Sequence, residues 1–285
     1  MSVPRALCIH DLSCVGRCSL GVILPVLSAC GVEASALPTA LLSTHTGGLG
    51  TPARLSCAPF AAQALAHYEA LGLRFDCVYS GYLAGAEAAQ LVRRAHELWP
   101  AARKVVDPVL GDAGRAYRFV DAPLIEAMRA LCCSADLIAP NVTESALLLG
   151  LPADASPMTA DAACARMDAL RRTFGCAVVL TGVALKDGRH ANGVLAPDGA
   201  PQLLRYDPAP GAWPGTGDLF CAALAGLSLR GETLTDSAAL AARFVRGAVQ
   251  AAADAGADTR FGAHFESQLH LLMRPKEREK TPCSQ

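Results

Sequence analysis

The chain is poor in aromatic residues, with 5% Phe, Trp and Tyr together and only two Trp, so its core must be built from aliphatic and small side chains. It also lacks a charge of one sign: Lys and Arg number 25 against 26 Asp and Glu, a formal net charge of -1. Without a global basic field, nucleic acid is not an expected partner, and any polyanion must be drawn in locally by amides, a few side chains and metal ions. No apolar run is long enough to cross a bilayer, and Met1–Ile9 lacks a signal-peptide pattern. A cytoplasmic protein with no membrane partner is therefore expected. There is no Cys-x-x-Cys pair among the 12 cysteines, most of which lie in apolar runs such as Leu131-Cys132-Cys133. They read as reduced core thiols, since a chain of 285 residues needs no disulfide framework. His10, Cys14 and Cys18 recur every four residues, but Gly16 and the strand-like residues before His10 argue against a helix presenting them to zinc.

What is abundant is apolar sequence, 52% of residues, arranged as short β-rich runs that alternate with longer helical stretches. Strands are predicted at Ala6–His10, Ala34–Leu37, Cys77–Ser80, Lys104–Asp107, Leu137–Ala139 and Ala177–Thr181. Helices are predicted at Leu20–Cys30, Pro52–Leu71, Ala86–Trp99, Pro123–Cys133, Thr159–Phe174, Gly217–Arg230 and Ser237–Ala255, with a short one at Ser145–Leu149. Such alternation implies right-handed βαβ units and an α/β fold with a central, mainly parallel sheet. After Thr181 the turn Pro197-Asp198-Gly199-Ala200 between Val194–Ala196 and Gln202–Tyr206 signals an antiparallel hairpin. No composition break divides residues 1–274, which read as one domain, and the polar stretch 275–285 reads as a disordered tail.

Ligands of open parallel sheets bind beyond the carboxyl ends of the strands, and the polar and glycine residues collect there. The richest stretch is Gly215-Thr216-Gly217-Asp218, which opens the apolar run Leu219–Ala225. Two glycines and a helix N-terminus make an anion cradle, and a carboxylate at its mouth can take a proton from a hydroxyl nucleophile. The alternative is structural: Asp218 caps the helix and the glycines shape the turn. Asn141-Val142-Thr143-Glu144 poses the same choice. It is a capping box, or Glu144 binds Mg²⁺ through water, and the two are compatible. In Asp107-Pro108-Val109-Leu110-Gly111-Asp112, Asp107 stands at a strand end and Asp112 in a loop, 111–117, able to close over a nucleotide. His10-Asp11, His45, Thr46 and Tyr82 read as substrate contacts, with His45 equally well a hydrogen-bonded loop histidine.

The order of these motifs, with Thr181-Gly182 after a strand and Gly215–Asp218 opening a helix, resembles the ribokinase-like (PfkB) superfamily and most closely its pyridoxal/pyridoxamine kinase branch. The resemblance covers nearly all of residues 5–260, and His45-Thr46-Gly47 and Ser80-Gly81-Tyr82 resemble the vitamin-binding segments of that branch. It implies a three-layer αβα sandwich that transfers the ATP γ-phosphate to the 5′-hydroxyl of a B6 vitamer. Asp218 would be the base, Gly215, Thr216 and Gly217 the anion hole, and Asp11, His45, Thr46 and Tyr82 the vitamer contacts. Asp112, Asn141, Glu144, Thr181, Gly182, Gly215 and Gly217 would bind ATP; Glu144 would hold Mg²⁺, with Asp107 and Thr181 near a K⁺ ion. A homodimer is also implied. Asp11 replaces a serine common in the branch, which suggests a preference for a protonated ring or charged substituent. Ala139 stands where some members have threonine, and Asp112 where a second group has a lid cysteine, so a covalent hemithioacetal is not implied. The alternatives are a hydroxymethylpyrimidine kinase and a non-catalytic vitamer-binding protein.

Overall fold

The computed structural model describes residues 3–207 and 210–273; the tail expected at 275–285 lies outside them. One nine-stranded sheet organises the described residues. Its parallel centre consists of β1 (Arg5–Val15), β2 (Glu33–Thr44), β4 (Cys77–Ser80), β5 (Arg103–Val106), β8 (Leu137–Ile138) and β9 (Ala177–Ala184). Antiparallel strands close both margins: β3 (Arg54–Ser56) beside β2, and β10 (His190–Leu195) with β11 (Gln202–Tyr206) beyond β9. The order across the sheet is β11-β10-β9-β8-β5-β4-β1-β2-β3. A small separate ribbon pairs β6 (Gly111–Asp112) with β7 (Arg115–Ala116).

Alternation along β1 shows how the layers form. Ala6 and Cys8 join a core with α1 (Leu20–Ala29), α7 (Thr216–Leu229) and α8 (Leu234–Asp254). Leu7 and Ile9 point the other way, into a core with α2 (Ala58–Ala70), α3 (Ala86–Leu98), α4 (Ala122–Cys133), α5 (Val142–Leu148) and α6 (Ala160–Phe174). Both faces of the sheet are covered, so the central strands read as continuous apolar runs. Among the described residues no helix is long and apolar enough to cross a membrane.

Two elements differ from the sequence reading. The helix expected from Pro52 to Leu71 divides into edge strand β3 and helix α2, because Pro59 in the first turn lacks an N–H and suits a helix start. Strand β1 continues past His10 to Val15, with an irregularity where Asp11 faces two residues of β2. Bulges of this kind re-aim side chains beside active sites. Because the chain is extended through Cys14, with Cys14 exposed and Cys18 buried, the four-residue spacing from His10 brings no zinc-ligand cluster together.

Candidate active site

Helix α7 begins at Gly215, the N-cap, whose φ of 79° lies in the left-handed region. A Cβ there would overlap the carbonyl oxygen of Arg17, so glycine is required by space as well as by conformation. Thr216 Oγ1 donates to Trp213 O at 3.0 Å, and Trp213 is buried with Nε1 donating to Pro210 O at 2.8 Å. The tryptophan therefore shapes the loop. Gly217 is exposed, and a Cβ on it would meet nothing within 4 Å. The first turn of a helix leaves its N–H groups without intrahelical partners, so this open face is an anion-binding one.

Asp218 is not the N-cap of α7, since Gly215 holds that position and makes no side-chain cap. Its carboxylate turns back toward the N-terminal strand instead. Oδ2 accepts from the Ser19 backbone N–H at 2.7 Å, and Oδ1 lies 3.2 Å from His10 Nε2. Ser19 delivers that N–H from φ 56°, ψ −148°, a conformation that costs a non-glycine residue about 1–3 kcal/mol. Such strain at the residue that holds Asp218 fits a functional constraint.

His10 and Asp11 form the wall behind Asp218. His10 Nδ1 is 2.7 Å from Asp11 Oδ1, Ser13 Oγ donates to Asp11 Oδ2 at 3.0 Å, and the Tyr82 N–H donates to His10 Nε2 at 3.0 Å. Burial pulls the imidazole down, but hydrogen bonds and charge from Asp11 and Asp218 push it up to about 10. Burial would raise Asp11, yet His10, Ser19 and Ser13 hold it below the usual carboxylate range. Asp11 is thus buried and engaged by the protein itself, which revises its expected role as a contact to the substrate ring.

Asp107, at the end of β5, is buried and pushed up to about 7 by desolvation and by the charge of Asp218, against the opposing pull of His10. No hydrogen-bond donor reaches its carboxylate among the described residues. Glu144 is raised well above its usual range by burial and by Asp107. Its Oε2 accepts from Asn141 N at 2.8 Å and its Oε1 from Leu110 N at 3.2 Å, while Asn141 Oδ1 accepts from Glu144 N at 2.9 Å. The capping box is real, and both Glu144 oxygens are held by backbone N–H groups.

The residues expected on the ATP side lie around the same α5 terminus. Asn141 Nδ2 donates to Gly111 O at 2.8 Å and Gly114 N donates to Thr143 Oγ1 at 2.9 Å, which pins the β6–β7 ribbon. The segment expected to be a loop that closes is a short hairpin, and a Cβ on Gly111 would overlap Arg115 O across it. Asp112 is exposed on that hairpin. Thr181 bridges Asn141, its N–H donating to Pro140 O at 2.9 Å, and Gly182, with φ 65°, donates to Asn192 Oδ1 at 3.1 Å.

Among the residues expected to contact substrate, His45 Nε2 donates to Arg260 O at 2.6 Å and its Nδ1 accepts from Gly47 N at 3.1 Å. Both ring nitrogens brace the loop. Thr46 is exposed and Tyr82 half-buried, each able to meet a ligand. The grip on Asp218 by His10 and Ser19 is not legible in the sequence: His10-Asp11 reads there as a substrate contact, and no local pattern singles out Ser19.

Residues 24–262 match the family model described as phosphomethylpyrimidine kinase. A pyridoxine/pyridoxal/pyridoxamine kinase of Bordetella avium is 33% identical over 245 residues, covering 81% of this chain and 79% of the relative. The pyridoxal kinase of Lactobacillus plantarum superposes with a TM-score of 0.88 at 36% identity, covering 95% of this chain and 97% of that one. A candidate phosphomethylpyrimidine kinase of Bacteroides thetaiotaomicron, crystallised with pyridoxal, gives a TM-score of 0.90 at 31% identity, covering 97% and 98%. Against the multifunctional thiamine biosynthesis protein ThiED of Corynebacterium glutamicum, 29% identical over 203 residues and 70% of this chain, the match spans only 25% of the longer relative. With Asp218 at the mouth of a helix N-terminus and carboxylates at neighbouring strand ends, the chain is a kinase of the ribokinase-like superfamily and belongs to the phosphomethylpyrimidine kinase family.

Proposed function

We propose that this chain transfers the γ-phosphoryl group of ATP to the 5′-hydroxyl of pyridoxal, pyridoxine or pyridoxamine. The observation that carries the reading is the carboxylate of Asp218, held at both oxygens beside the open amides of Gly215–Gly217. A hydroxymethyl group placed there loses its proton to Asp218 as it attacks, and the amides of Gly215, Thr216 and Gly217 receive the negative charge of the transferring group. Phosphoryl transfer needs little covalent chemistry from a protein, so orientation and charge stabilisation supply most of the acceleration. Tyr82 and Thr46 bound the ring side, with His45 holding the loop of Thr46; Asn141, Asp112, Thr181 and Gly182 line the nucleotide side.

The residues fit the metal that such a reaction uses. No cluster of three or more His, Cys, Asp or Glu side chains suited to a metal occurs among the described residues. Mg²⁺ arriving with a nucleotide keeps most of its water and takes few protein ligands, so a full cage is not required. Asp107, buried without a donor, and Glu144 beside it are the carboxylates that would face cations, Mg²⁺ through water at Glu144 and K⁺ near Asp107 and Thr181. The bound metal would supply charge neutralisation between nucleotide phosphates and these carboxylates. The proposal includes a cytoplasmic homodimer with one kinase domain over residues 1–274.

A second reading, phosphorylation of a hydroxymethylpyrimidine, is favoured by the description of the matching family model. The test is ATP consumption by the purified protein in Mg²⁺ and K⁺ with each vitamer and with hydroxymethylpyrimidine. Turnover of vitamers in the wild type and its fall to a small residual rate in Asp218→Asn, with ATP binding retained, is expected. Turnover of the pyrimidine alone would move the assignment to the second reading. Vitamer binding without turnover would make the chain a carrier.

A further inference from the structure

The chain carries a buried histidine that contacts the proposed base from behind and that substrate binding does not explain. His10 is 2% exposed in the middle of β1, and space for its ring is made by its neighbour across the sheet: a Cβ on Gly81 would overlap the imidazole. Each ring nitrogen faces one acceptor and one donor. Nδ1 meets Asp11 Oδ1 at 2.7 Å and the Asp11 N–H at 2.9 Å, while Nε2 meets Asp218 Oδ1 at 3.2 Å and the Tyr82 N–H at 3.0 Å. Ser13 Oγ in turn fixes the far oxygen of Asp11. The chain Ser13–Asp11–His10–Asp218 thus runs from the end of β1 to the first turn of α7.

We propose that His10 is a positioning residue for phosphoryl transfer, fixing the rotamer of Asp218 through Nε2 while Asp11 fixes the ring. The inference rests on the reading of Asp218 as the base. The charged groups that face the imidazole are Asp11 on its own strand, Asp218 from α7 and Asp107 at the end of β5, all acidic. Burial pulls the imidazole down, but hydrogen bonds and charge from Asp11 and Asp218 raise it to about 10, and Nε2 at 3.2 Å fixes the direction of Asp218 Oδ1. Asp218 keeps its second oxygen on the Ser19 N–H, which leaves the orientation of the first to His10.

The experiment is a double-mutant cycle between His10→Leu and Asp218→Asn, read by steady-state and single-turnover kinetics, with His10→Gln and His10→Asn alongside and thermal melts of each. His10→Leu is expected to lower kcat by about 100-fold while KM for ATP and substrate affinity change by less than about threefold, the scale of losing a well-placed base. In the Asp218→Asn background the same change should cost no more than about twofold, because its partner is already gone. Gln reaches the Nε2 position and should keep kcat within about tenfold of wild type, whereas Asn, reaching only toward Asp11, should not. If His10→Leu fails to fold, the contrast of Gln with Asn decides. Equal losses in Gln and Asn, a full His10→Leu loss in the Asp218→Asn background, or a loss confined to KM would overturn the proposal. The cycle is run on whichever hydroxymethyl heteroaromatic the wild type phosphorylates. Failure of the vitamer reading then shows in the wild type, and failure of the His10 role in the variants; turnover of neither substrate overturns both.

Discussion

Gly215 and Gly217 stand two residues apart, yet a methyl group on each should do opposite things. In Gly215→Ala the new Cβ sits on a backbone with φ 79°, overlaps Arg17 O and lies 3.0 Å from Cys18 Cα, atoms of a backbone that cannot swing aside. The left-handed conformation costs alanine about 1–2 kcal/mol, and the overpacking a further 1–3, for a loss of roughly 2–5 kcal/mol. For a chain of this size that is a fall in Tm of about 4–20 °C, since about 1 kcal/mol shifts Tm by roughly 2–4 °C. Relief by backbone movement would shift the start of α7 and carry Asp218 away from Ser19 and His10. In Gly217→Ala the Cβ meets nothing, and alanine is the better helix residue by up to about 1 kcal/mol, so Tm should hold or rise slightly. Turnover should nevertheless fall, by about tenfold or more, because the methyl group occupies the face where phosphoryl oxygens must approach. The assays are a thermal melt and an ATP-coupled rate on the same preparations. Unchanged Tm in Gly215→Ala, or wild-type turnover in Gly217→Ala, would refute the anion-hole geometry.

Stability should depend on pH in two separable ways. His10 has a folded value of about 10 against an ordinary 6.5, so its contribution is full below about pH 6.5 and is lost as pH rises toward 10. Asp107, raised to about 7 from 3.8, keeps a proton that the unfolded chain releases, so stability should fall between about pH 4 and 7. Melting temperatures across pH should show the lower limb flattened in Asp107→Asn and the upper in His10→Gln. Asn141→Ala removes the cap of α5 and one tie to the β6–β7 ribbon, so it should cost about 1–2 kcal/mol in chemical denaturation and weaken nucleotide binding by calorimetry. Asp11→Ser should lower kcat for pyridoxal, pyridoxine and pyridoxamine by a common factor, because Asp11 acts on His10 and is buried from the ring; a changed vitamer ranking would restore it as a ring contact.

The sequence by itself determined the layers and the edge of the sheet where chemistry collects. Alternating β-rich and helical runs placed Cys77–Ser80 exactly as a strand, and Pro197–Ala200 announced the hairpin of β10 and β11, because periodicity and turn chemistry are local properties. It also exposed Gly215–Asp218 and Asn141–Glu144, since glycine and capping patterns are written within a few residues. Tertiary structure alone decided what those carboxylates do. Whether Asp218 caps its own helix or faces a distant strand depends on Ser19 and His10, which are 199 residues and more away in the chain and are brought near only when α7 packs against α1. The same packing turned Asp11 from a ring contact into the partner of His10, and gave His45 a carbonyl at Arg260 that no local pattern announces. Helix, strand and turn follow from neighbours along the chain; the charge and aim of a buried side chain follow from neighbours in space, and here those are acidic groups gathered at the strand ends around one imidazole.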